Sequence, residues 1–444
     1  MNKYTLPVVH LVDAEGPFWE PLEETFRQLK EIYHINMEPS ISNLRDLQAG
    51  IGIPSEIAED VKARFSSHRL GYNNSWSDIE KMCHTLFSKE WREKISGTSP
   101  TPYTINWNCL DQIGFHLNPR RRQLGPNLIY KFYEDQIKLN ELSWDRLYWH
   151  YHPMAFNKAL NKNGTSLNHH PYHYTSLCHR ILDCHNFPAV YRPGYHVERT
   201  DLNVFLEQWI PFDYANQNAH DQRKDENYRF SDWRNAPLDW SVYHPDFKDP
   251  RMSGNLKRSI ARCLNIGTDF AKIGKDEIEK AFIRCAEGKP TILAYCNHDH
   301  RDMIAEIKEV TSMIEEVSKR YESQVQYQYC NAVDAMRLYY DLPSEEPVKF
   351  SFTFQDGKLE IKCSKPIYGS QPFLAFRTYD NTLYHDNFCF GNDNLSFHYQ
   401  FDSHSMPIQM VQEIGVATND FCGNSSVLII DAQDPQRVIE KFFS

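Results

Sequence analysis

Two kinds of hydrophobic patterning divide the chain. As far as about residue 342, short apolar runs alternate with longer amphipathic segments, in which apolar residues recur at helical spacing. The clearest amphipathic segments span residues 21–35, 127–140, 174–186, 275–287 and 302–323. Alternation of this kind favours an α/β fold built on parallel strands, either layered or closed into a barrel.

After residue 347 the pattern changes to period-two runs divided by Asp, Asn and Gly turns. These runs are KFSFTF, KLEIKC, FLAFRTY, LSFHYQF and SVLIIDA. They predict the short strands of a small all-β domain, most simply a sandwich. The segment PSEEP at 343–347 has the composition of a linker. We therefore expect an α/β domain over residues 1–342 and a β-sandwich over residues 348–444.

Composition narrows the class of protein. A hydrophobic content of 41% with 24% charged residues is typical of a globular chain. The net charge of −11, without a long basic run, argues against a nucleic-acid or anionic-membrane partner. No apolar stretch is long enough to span a bilayer or to act as a signal peptide. The 11 cysteines are scattered without a CxxC pair, which indicates reduced thiols and a cytoplasmic location.

Polar side chains suited to catalysis follow several of the apolar runs. In barrels of parallel strands, the carboxyl ends of the strands are where active sites are built, so we expect these side chains to converge. A spacing of two, as in the stretches DAE and HYH, gives both side chains the same face of an extended strand. The set comprises Asp13, Glu15, Asp111, His150, His152, Arg192, Asp213, His298, Asp299, His300 and Asp302.

A carboxylate with two histidines is the ligand set of catalytic zinc. A further carboxylate and a further histidine are what metal-assisted hydrolysis also requires. Taken singly, a strand-terminal Asp is more often a turn former, and His150 and His152 could equally be core residues. Another histidine group, at 169, 170 and 173, follows a loop-like NGTS and is a weaker metal candidate.

The order of these motifs resembles that of the polysaccharide deacetylase (NodB-homology) superfamily. The matching stretches are DAEG at 13–16, HYHP at 150–153, RPG at 192–194 and HDH at 298–300. Members of that superfamily are incomplete (β/α) barrels that use a bound metal to remove N-acetyl or O-acetyl groups from sugars. The resemblance therefore implies such a barrel here, followed by the C-terminal β-sandwich.

Long members from surface-polysaccharide (O-antigen) biosynthesis clusters are the most similar, by the stretch NPRRR at 118–122 and a β-rich C-terminal extension. The resemblance covers about residues 5–340. Three features depart from the usual motifs. The first two acids flank Ala14 instead of being adjacent, Glu15 replaces a metal-binding Asp, and the histidines are spaced by two instead of four. His116 and His173 are the alternative ligands.

The resemblance also implies roles. Glu15, His150 and His152 would hold Zn²⁺ or another divalent transition metal, and Asp13 would act as general base. Arg192 would lie beside Asp13 and keep it ionised.

A histidine from 298–300 would protonate the departing amine, with Asp299 or Asp302 orienting the ring. We expect only one of His298 and His300 to face the site, and we expect it to be His300.

Flat aromatic side chains near the predicted mouth suit sugar rings, although they could equally be core residues. They are Trp107, Trp149, Tyr151, Tyr195, Trp233, Trp240 and Tyr243. We expect Trp149 and Tyr195, with Asp111 and Asp213, to contact the substrate. The resemblance implies that this substrate is a nucleotide-linked or lipid-linked sugar amide in surface-glycan assembly.

Three hypotheses follow. The leading one is a metal-dependent carbohydrate deacetylase. The second is a glycoside hydrolase that pairs Asp13 or Glu15 with Asp213 and needs no metal. The third is a glycan-binding protein that has lost its chemistry and binds no ion.

Overall fold

The computed structural model describes residues 3–67, 69–111, 127–152, 172–220, 232–268, 271–434 and 438–443. The helices of this part of the chain are α1 (Leu22–Tyr33), α2 (Ile41–Ala49), α3 (Ala58–Arg64), α4 (Trp76–Leu86), α5 (Lys89–Ser96), α6 (Leu128–Leu139), α7 (Tyr172–Cys184), α8 (Thr200–Glu207), α9 (Lys275–Ala286), α10 (Met303–Tyr321) and α11 (Ala332–Tyr340). All five predicted amphipathic segments are helices, which confirms that part of the sequence analysis.

A nearly closed barrel of parallel strands forms the N-terminal part. Its strands are β1 (Tyr4–Ala14), β2 (Ile105–Asp111), β3 (Arg146–Tyr151), β4 (Val190–Pro193), β5 (Phe212–Asn216), β6 (Ser259–Arg262), β7 (Leu264–Asn265), β8 (Leu293–His298) and β9 (Val325–Tyr329). The order is β6-β5-β4-β3-β2-β1-β8-β7, and β9 pairs with the first half of β1. Only Cys263 separates β6 from β7, so the two ends of the sheet are continuous in the chain. The predicted (β/α) barrel is confirmed.

Alternation along the strands separates an interior from an exterior. Leu11, Tyr148, Tyr214 and Cys296 belong to one buried cluster, while their neighbours in sequence pack against the surrounding helices. Helix α11 contributes to the same interior cluster, and the Tyr214 hydroxyl donates a hydrogen bond to the Ala332 carbonyl over 2.7 Å. Because α11 follows β9 and packs among these side chains, it fills one end of the barrel and leaves the carboxyl ends of the strands for a site.

The C-terminal part is a sandwich of two antiparallel sheets. Its strands are β10 (Phe350–Gln355), β11 (Lys358–Cys363), β12 (Phe373–Thr378), β13 (Leu383–Asp386), β14 (Cys389–Phe390), β15 (Ser396–Gln400), β16 (Val411–Asn419), β17 (Ser425–Asp431) and β18 (Val438–Phe443). One sheet has the order β10-β11-β15-β14, the other β13-β12-β16-β17-β18. Leu359, Phe376 and Leu428 lie in the core between the sheets. The predicted C-terminal β domain is confirmed.

The five-stranded sheet also packs against the barrel. Phe373 and Ala417, on its other face, share a core with helices α7 and α8. The Asn419 side chain donates to the backbone carbonyls of Pro188 (2.9 Å) and Trp209 (2.8 Å). The layers therefore run from the barrel through α7 and α8 to the five-stranded sheet, and then to the four-stranded sheet. The limits 1–342 and 348–444 stay a prediction.

Candidate metal centre

Three side chains that bind metals in other proteins meet beyond the strand ends of the barrel. Glu15 directly follows β1, and His150 and His152 stand at the end of β3. The Nε2 atoms of the two histidines lie 2.9 Å apart. Glu15 Oε1 lies 2.9 Å from His152 Nε2 and 3.5 Å from His150 Nε2. All three side chains are buried, so three donor atoms converge on one sheltered point.

A hydrogen bond on the far side of the ring sets the tautomer of His150. Its Nδ1 lies 2.8 Å from the backbone carbonyl oxygen of Arg192. A carbonyl only accepts, so Nδ1 carries the proton and donates it. In the neutral ring, Nε2 then presents its lone pair to the cluster. A carbonyl behind the ring is a common support of a histidine metal ligand.

The cluster fits a divalent transition metal. Two imidazole nitrogens and one carboxylate oxygen match the protein donors of catalytic zinc sites. With bonds of about 2.0–2.2 Å, tetrahedral ligand atoms lie roughly 3.4 Å apart. The separations here, 2.9 to 3.5 Å, are close to that value. Glu15, His150 and His152 are therefore the residues that would hold such an ion.

A second group, Asp13, His196 and Cys296, also lies within reach of a common point, but Arg192 is already there. Arg192 Nη2 is 2.7 Å from Cys296 Sγ and 3.3 Å from both Asp13 Oδ2 and His196 Nε2. A guanidinium stays protonated in proteins, so a metal ion at this point would meet a fixed positive charge. Within the described part of the chain, the cluster of Glu15, His150 and His152 is the better metal site.

Arg192 also determines the charge of Asp13. Its Nε donates to Asp13 Oδ1 over 2.9 Å, and both side chains are buried. Burial alone would raise the pKa of Asp13, but the nearby Arg192, with smaller effects from His150 and His298, lowers it to about 2. Asp13 is therefore ionised at neutral pH, as the predicted role requires.

Both histidines of the HDH stretch reach the cluster, so the prediction that only one of them faces it is wrong. Residues two apart project to the same side of an extended chain, as in the DAE and HYH stretches, so the spacing itself favours both rings at the site. Strand β8 ends at His298, and the chain turns at Asp299. His298 Nε2 lies 3.9 Å from Asp13 Oδ2 and 3.9 Å from Glu15 Oε1. His300 Nδ1 lies 3.8 Å from Glu15 Oε2. The His298 side chain is 25% exposed and that of His300 10%, so a ligand reaches His298 more easily.

Asp299 anchors the turn that carries Glu15. One carboxylate oxygen accepts the Glu15 backbone N–H (2.8 Å), and the other accepts the Gly16 N–H (3.0 Å) and the Tyr133 hydroxyl (2.8 Å). Asp302 does not have the orienting role considered for it. It caps α10, where its side chain accepts the Ile304 N–H.

Three of the four predicted substrate contacts face away from the barrel interior, and those predictions are wrong. Asp111 Oδ1 pairs with Arg180 (2.6 Å), and Trp149 donates its indole N–H to Asp111 Oδ2 (2.9 Å) beneath α7. Asp213 forms a buried ion pair with Arg258. Each of the three is at most 1% exposed. The alternation of side chains along a strand explains the outward direction, because Trp149 is next to the inward-facing His150 and Asp213 is next to the inward-facing Tyr214.

Of the other aromatic residues near the predicted mouth, those whose side chains the structure describes are core residues. Five of them are 0 to 6% exposed, namely Trp107, Tyr151, Trp233, Trp240 and Tyr243. The side chain of Tyr195 lies outside the described part of the structure, as do residues 116, 118–122, 153, 169 and 170. His173 lies in α7 against the outward-facing ring of Tyr151, at a centroid distance of 4.3 Å, so it is not a member of the cluster.

Sequence reasoning missed three residues beside the cluster. His196 lies in a turn with a φ of +51°, and burial, together with the charge of Arg192, holds its pKa well below the usual range. Phe18 and Tyr72 contact the His300 ring, at centroid distances of 5.1 and 5.7 Å. The position of Phe18, directly after the DAEG stretch and Pro17, was an available signal. No local pattern marks Tyr72.

Comparisons with known proteins add little to this description. No protein-family model matches the chain, and no curated protein matches it. A solved structure from Parabacteroides distasonis, described as a candidate glycoside hydrolase/deacetylase, aligns with 99% of this chain and 85% of its own at 7% identity and a TM-score of 0.35. A likeness at this level says nothing about activity. In the part of the chain that is described, no helix is both long and apolar enough to cross a membrane.

Proposed function

We propose that the protein is a metal-dependent hydrolase that removes an N-acyl group, in the simplest case acetyl, from a sugar used in surface-polysaccharide biosynthesis. The observation that carries this proposal is the convergence of Glu15 Oε1, His150 Nε2 and His152 Nε2 within 3.5 Å of one another. An ionised Asp13 and an accessible His298 lie beside them. The resemblance of the motifs to polysaccharide deacetylases suggests the bond that is cleaved.

A Zn²⁺ or similar ion on the three ligands would activate water and polarise an acyl carbonyl. Asp13 acts as the proton acceptor. A carboxylate with a pKa of about 2 is a weak base, so Asp13 takes a proton only from a donor whose own pKa is lowered. Its role as base therefore depends on the ion lowering the pKa of the water. Arg192 keeps Asp13 ionised and oriented.

His298 is the better candidate for the general acid, in place of His300. It is the register partner of Asp13 on the neighbouring strand, and it is the more exposed of the two rings. A proton that reaches His298 can pass to the leaving amine nitrogen, which would otherwise depart as an unstable anion.

The proposed substrate class has support from the aromatic residues beside the cluster. Phe18 and Tyr72 are half-buried, and Trp19, next in sequence to Phe18, is 43% exposed. Partly exposed rings beside a polar cluster suit a ligand with apolar faces and hydroxyl edges, as a sugar has.

The glycoside hydrolase hypothesis requires Asp213 as a second carboxylate close to Asp13 or Glu15. Asp213 is paired with Arg258 on the outer face of β5 and does not lie beside Asp13. An inactive glycan-binding protein has no need of three converging metal donors, so the geometry favours an enzyme over this alternative.

Acetate release from a panel of N-acetylated nucleotide sugars and oligosaccharides tests the proposal. We expect release by the zinc-loaded protein, its loss on treatment with a strong chelator, and its return when Zn²⁺ is restored. Glu15→Ala should release none, whereas Glu38→Ala, a control at an exposed glutamate, should match the parent. Activity that survives complete chelation would contradict the proposal.

A further inference from the structure

A glycine packs directly against one of the three side chains of the candidate metal centre. Gly194 is the last residue of the RPG stretch, and it begins the short helical turn Gly194–His196 that follows β4. Strand β4 pairs with β3 in parallel, with Pro193 opposite Tyr151. Gly194 therefore lies against His152, the next residue along, and both residues are buried.

The contact leaves no room for a side chain at position 194. A Cβ there would lie 2.2 Å from His152 Cδ2, 2.6 Å from Cγ and 2.7 Å from Cα. Carbon atoms in contact are normally about 3.5–4.0 Å apart. Because one of the three atoms is backbone, turning the ring alone would not make room, and His152 as a whole would have to move.

Backbone conformation supplies no other reason for a glycine at this position. Gly16, near the same centre, has a φ of +73°, whereas Gly194 lies outside the left-handed region. An alanine could adopt the backbone angles of Gly194 without strain. The contact with His152 is what excludes it.

The edge of the ring that Gly194 contacts carries the donor atom. Cδ2 is bonded to Nε2, which lies 2.9 Å from both Glu15 Oε1 and His150 Nε2. Distances in metal sites vary by only about 0.2 Å. Relieving a contact of 2.2 Å requires a displacement of roughly 1 Å, so it would take Nε2 away from the other two donors.

One stretch of the neighbouring strand supports both histidines. The spacing of two places His152 just beyond β3, at the level where β4 ends, and Gly194 makes space for it there. The Arg192 carbonyl, two residues earlier, accepts the Nδ1 proton of His150. Residues 192–194 therefore orient the two rings together, one by a hydrogen bond and the other by packing.

We propose that Gly194 is a positioning residue of the metal centre. Its lack of a side chain lets His152 stand in the orientation that binds the ion before the ion arrives. The inference rests on the proposed function, because it requires an ion held by Glu15, His150 and His152. It adds a residue that is not itself a ligand.

Titration with Co²⁺ tests the proposal, because this ion binds the same nitrogen and oxygen donors as zinc and its visible absorption reports the ligands around it. Gly194→Ala should bind Co²⁺ about 10–100-fold more weakly than the parent, the usual effect of disturbing a residue that orients a ligand. The absorption bands of the Co²⁺ that does bind should be altered.

Gly415→Ala is the matched control. Gly415 is also buried and outside the left-handed region, and a Cβ there would lie 2.6 Å from Ile181 in α7, away from the metal centre. Gly415→Ala should lower the melting temperature but leave the affinity for Co²⁺ and the absorption bands unchanged.

Parent affinity and parent absorption in Gly194→Ala would overturn the proposal. If Gly194→Ala fails to fold, crystals of the parent protein with and without zinc decide. The His152 ring should keep one rotamer in both, and a ring that turns on metal binding would overturn the proposal. A parent protein that binds no ion would refute the proposed function as well, whereas an unaffected Gly194→Ala beside a parent that binds metal refutes this inference alone.

Discussion

His298 lies beside Asp13 on the neighbouring strand, with its Nε2 3.9 Å from Asp13 Oδ2. The two side chains come from the ends of β8 and β1, which pair in parallel register. A candidate base and a candidate acid are thereby held next to each other and next to the cluster of Glu15, His150 and His152. This pairing leads to the first prediction.

His298→Ala should lower kcat for deacetylation by roughly 10²–10⁴-fold, the usual effect of losing a general acid. His300→Phe should cost much less, because it keeps a ring in contact with Phe18 and Tyr72. Steady-state kinetics on both variants, with metal content measured in parallel, make the comparison. If His300→Phe shows the larger loss at full metal occupancy, the two roles are reversed.

The second prediction concerns Asp13. Asp13→Asn should bind metal almost as well as the parent, because Asp13 lies outside the ligand cluster. It should lose roughly 10²–10⁴-fold in kcat through loss of the base. Metal analysis and acetate release on the same preparation check both statements. Loss of the ion from Asp13→Asn would mean that Asp13 and Glu15 share or exchange roles.

The third prediction concerns pH. Removing Arg192 leaves the burial of Asp13 in place without the compensating cation, so the pKa of Asp13 should rise from about 2. In Arg192→Gln, activity should therefore fall at a higher pH on the acidic side than in the parent. The depressed pKa also implies that the Asp13–Arg192 pair stabilises the fold above the unfolded pKa of 3.8, and that this stability is lost as pH falls through about 2.

A matched control separates this effect from general destabilisation. Arg180 is also buried and paired with an aspartate, but on the outside of the barrel. Arg180→Gln should lower the melting temperature without moving the acidic side of the pH–rate profile. An unshifted profile in Arg192→Gln would refute the assigned role of Arg192.

The sequence predicted well which residues lie at the ends of the strands. It predicted less well whether their side chains face into the barrel or away from it. Asp13, Glu15, His150, His152 and Arg192 converge as expected, because parallel strands bring their carboxyl ends together. The errors at Trp149 and Asp213 were avoidable, since inward-facing His150 excludes Trp149 by alternation alone.

Other features depend on geometry that no local pattern encodes. His196 reaches Arg192 through a turn in the left-handed region, and Tyr72 arrives from a distant segment. Contacts of this kind depend on tertiary packing.

The fourth prediction concerns the connection between the two parts of the chain. Residues 343–346 are exposed and lie in neither helix nor strand, so limited proteolysis should cut there first. The fragments should stay associated, because Arg337 donates to the Cys422 carbonyl (2.8 Å) and Asn419 donates to Pro188 and Trp209 across the packed layers. Native size-exclusion chromatography of the cut protein tests this. Separation of the fragments would show that these contacts are too weak to hold the domains together.

The most direct test of the central claim is the position of a bound ion. Crystals of the zinc-loaded protein, measured with anomalous diffraction at the zinc edge, should show one peak at about 2.0–2.2 Å from Glu15 Oε1, His150 Nε2 and His152 Nε2. His152→Ala should lack it and still fold. A peak among Asp13, His196 and Cys296 instead, or no stoichiometric ion in the parent protein, would contradict the account.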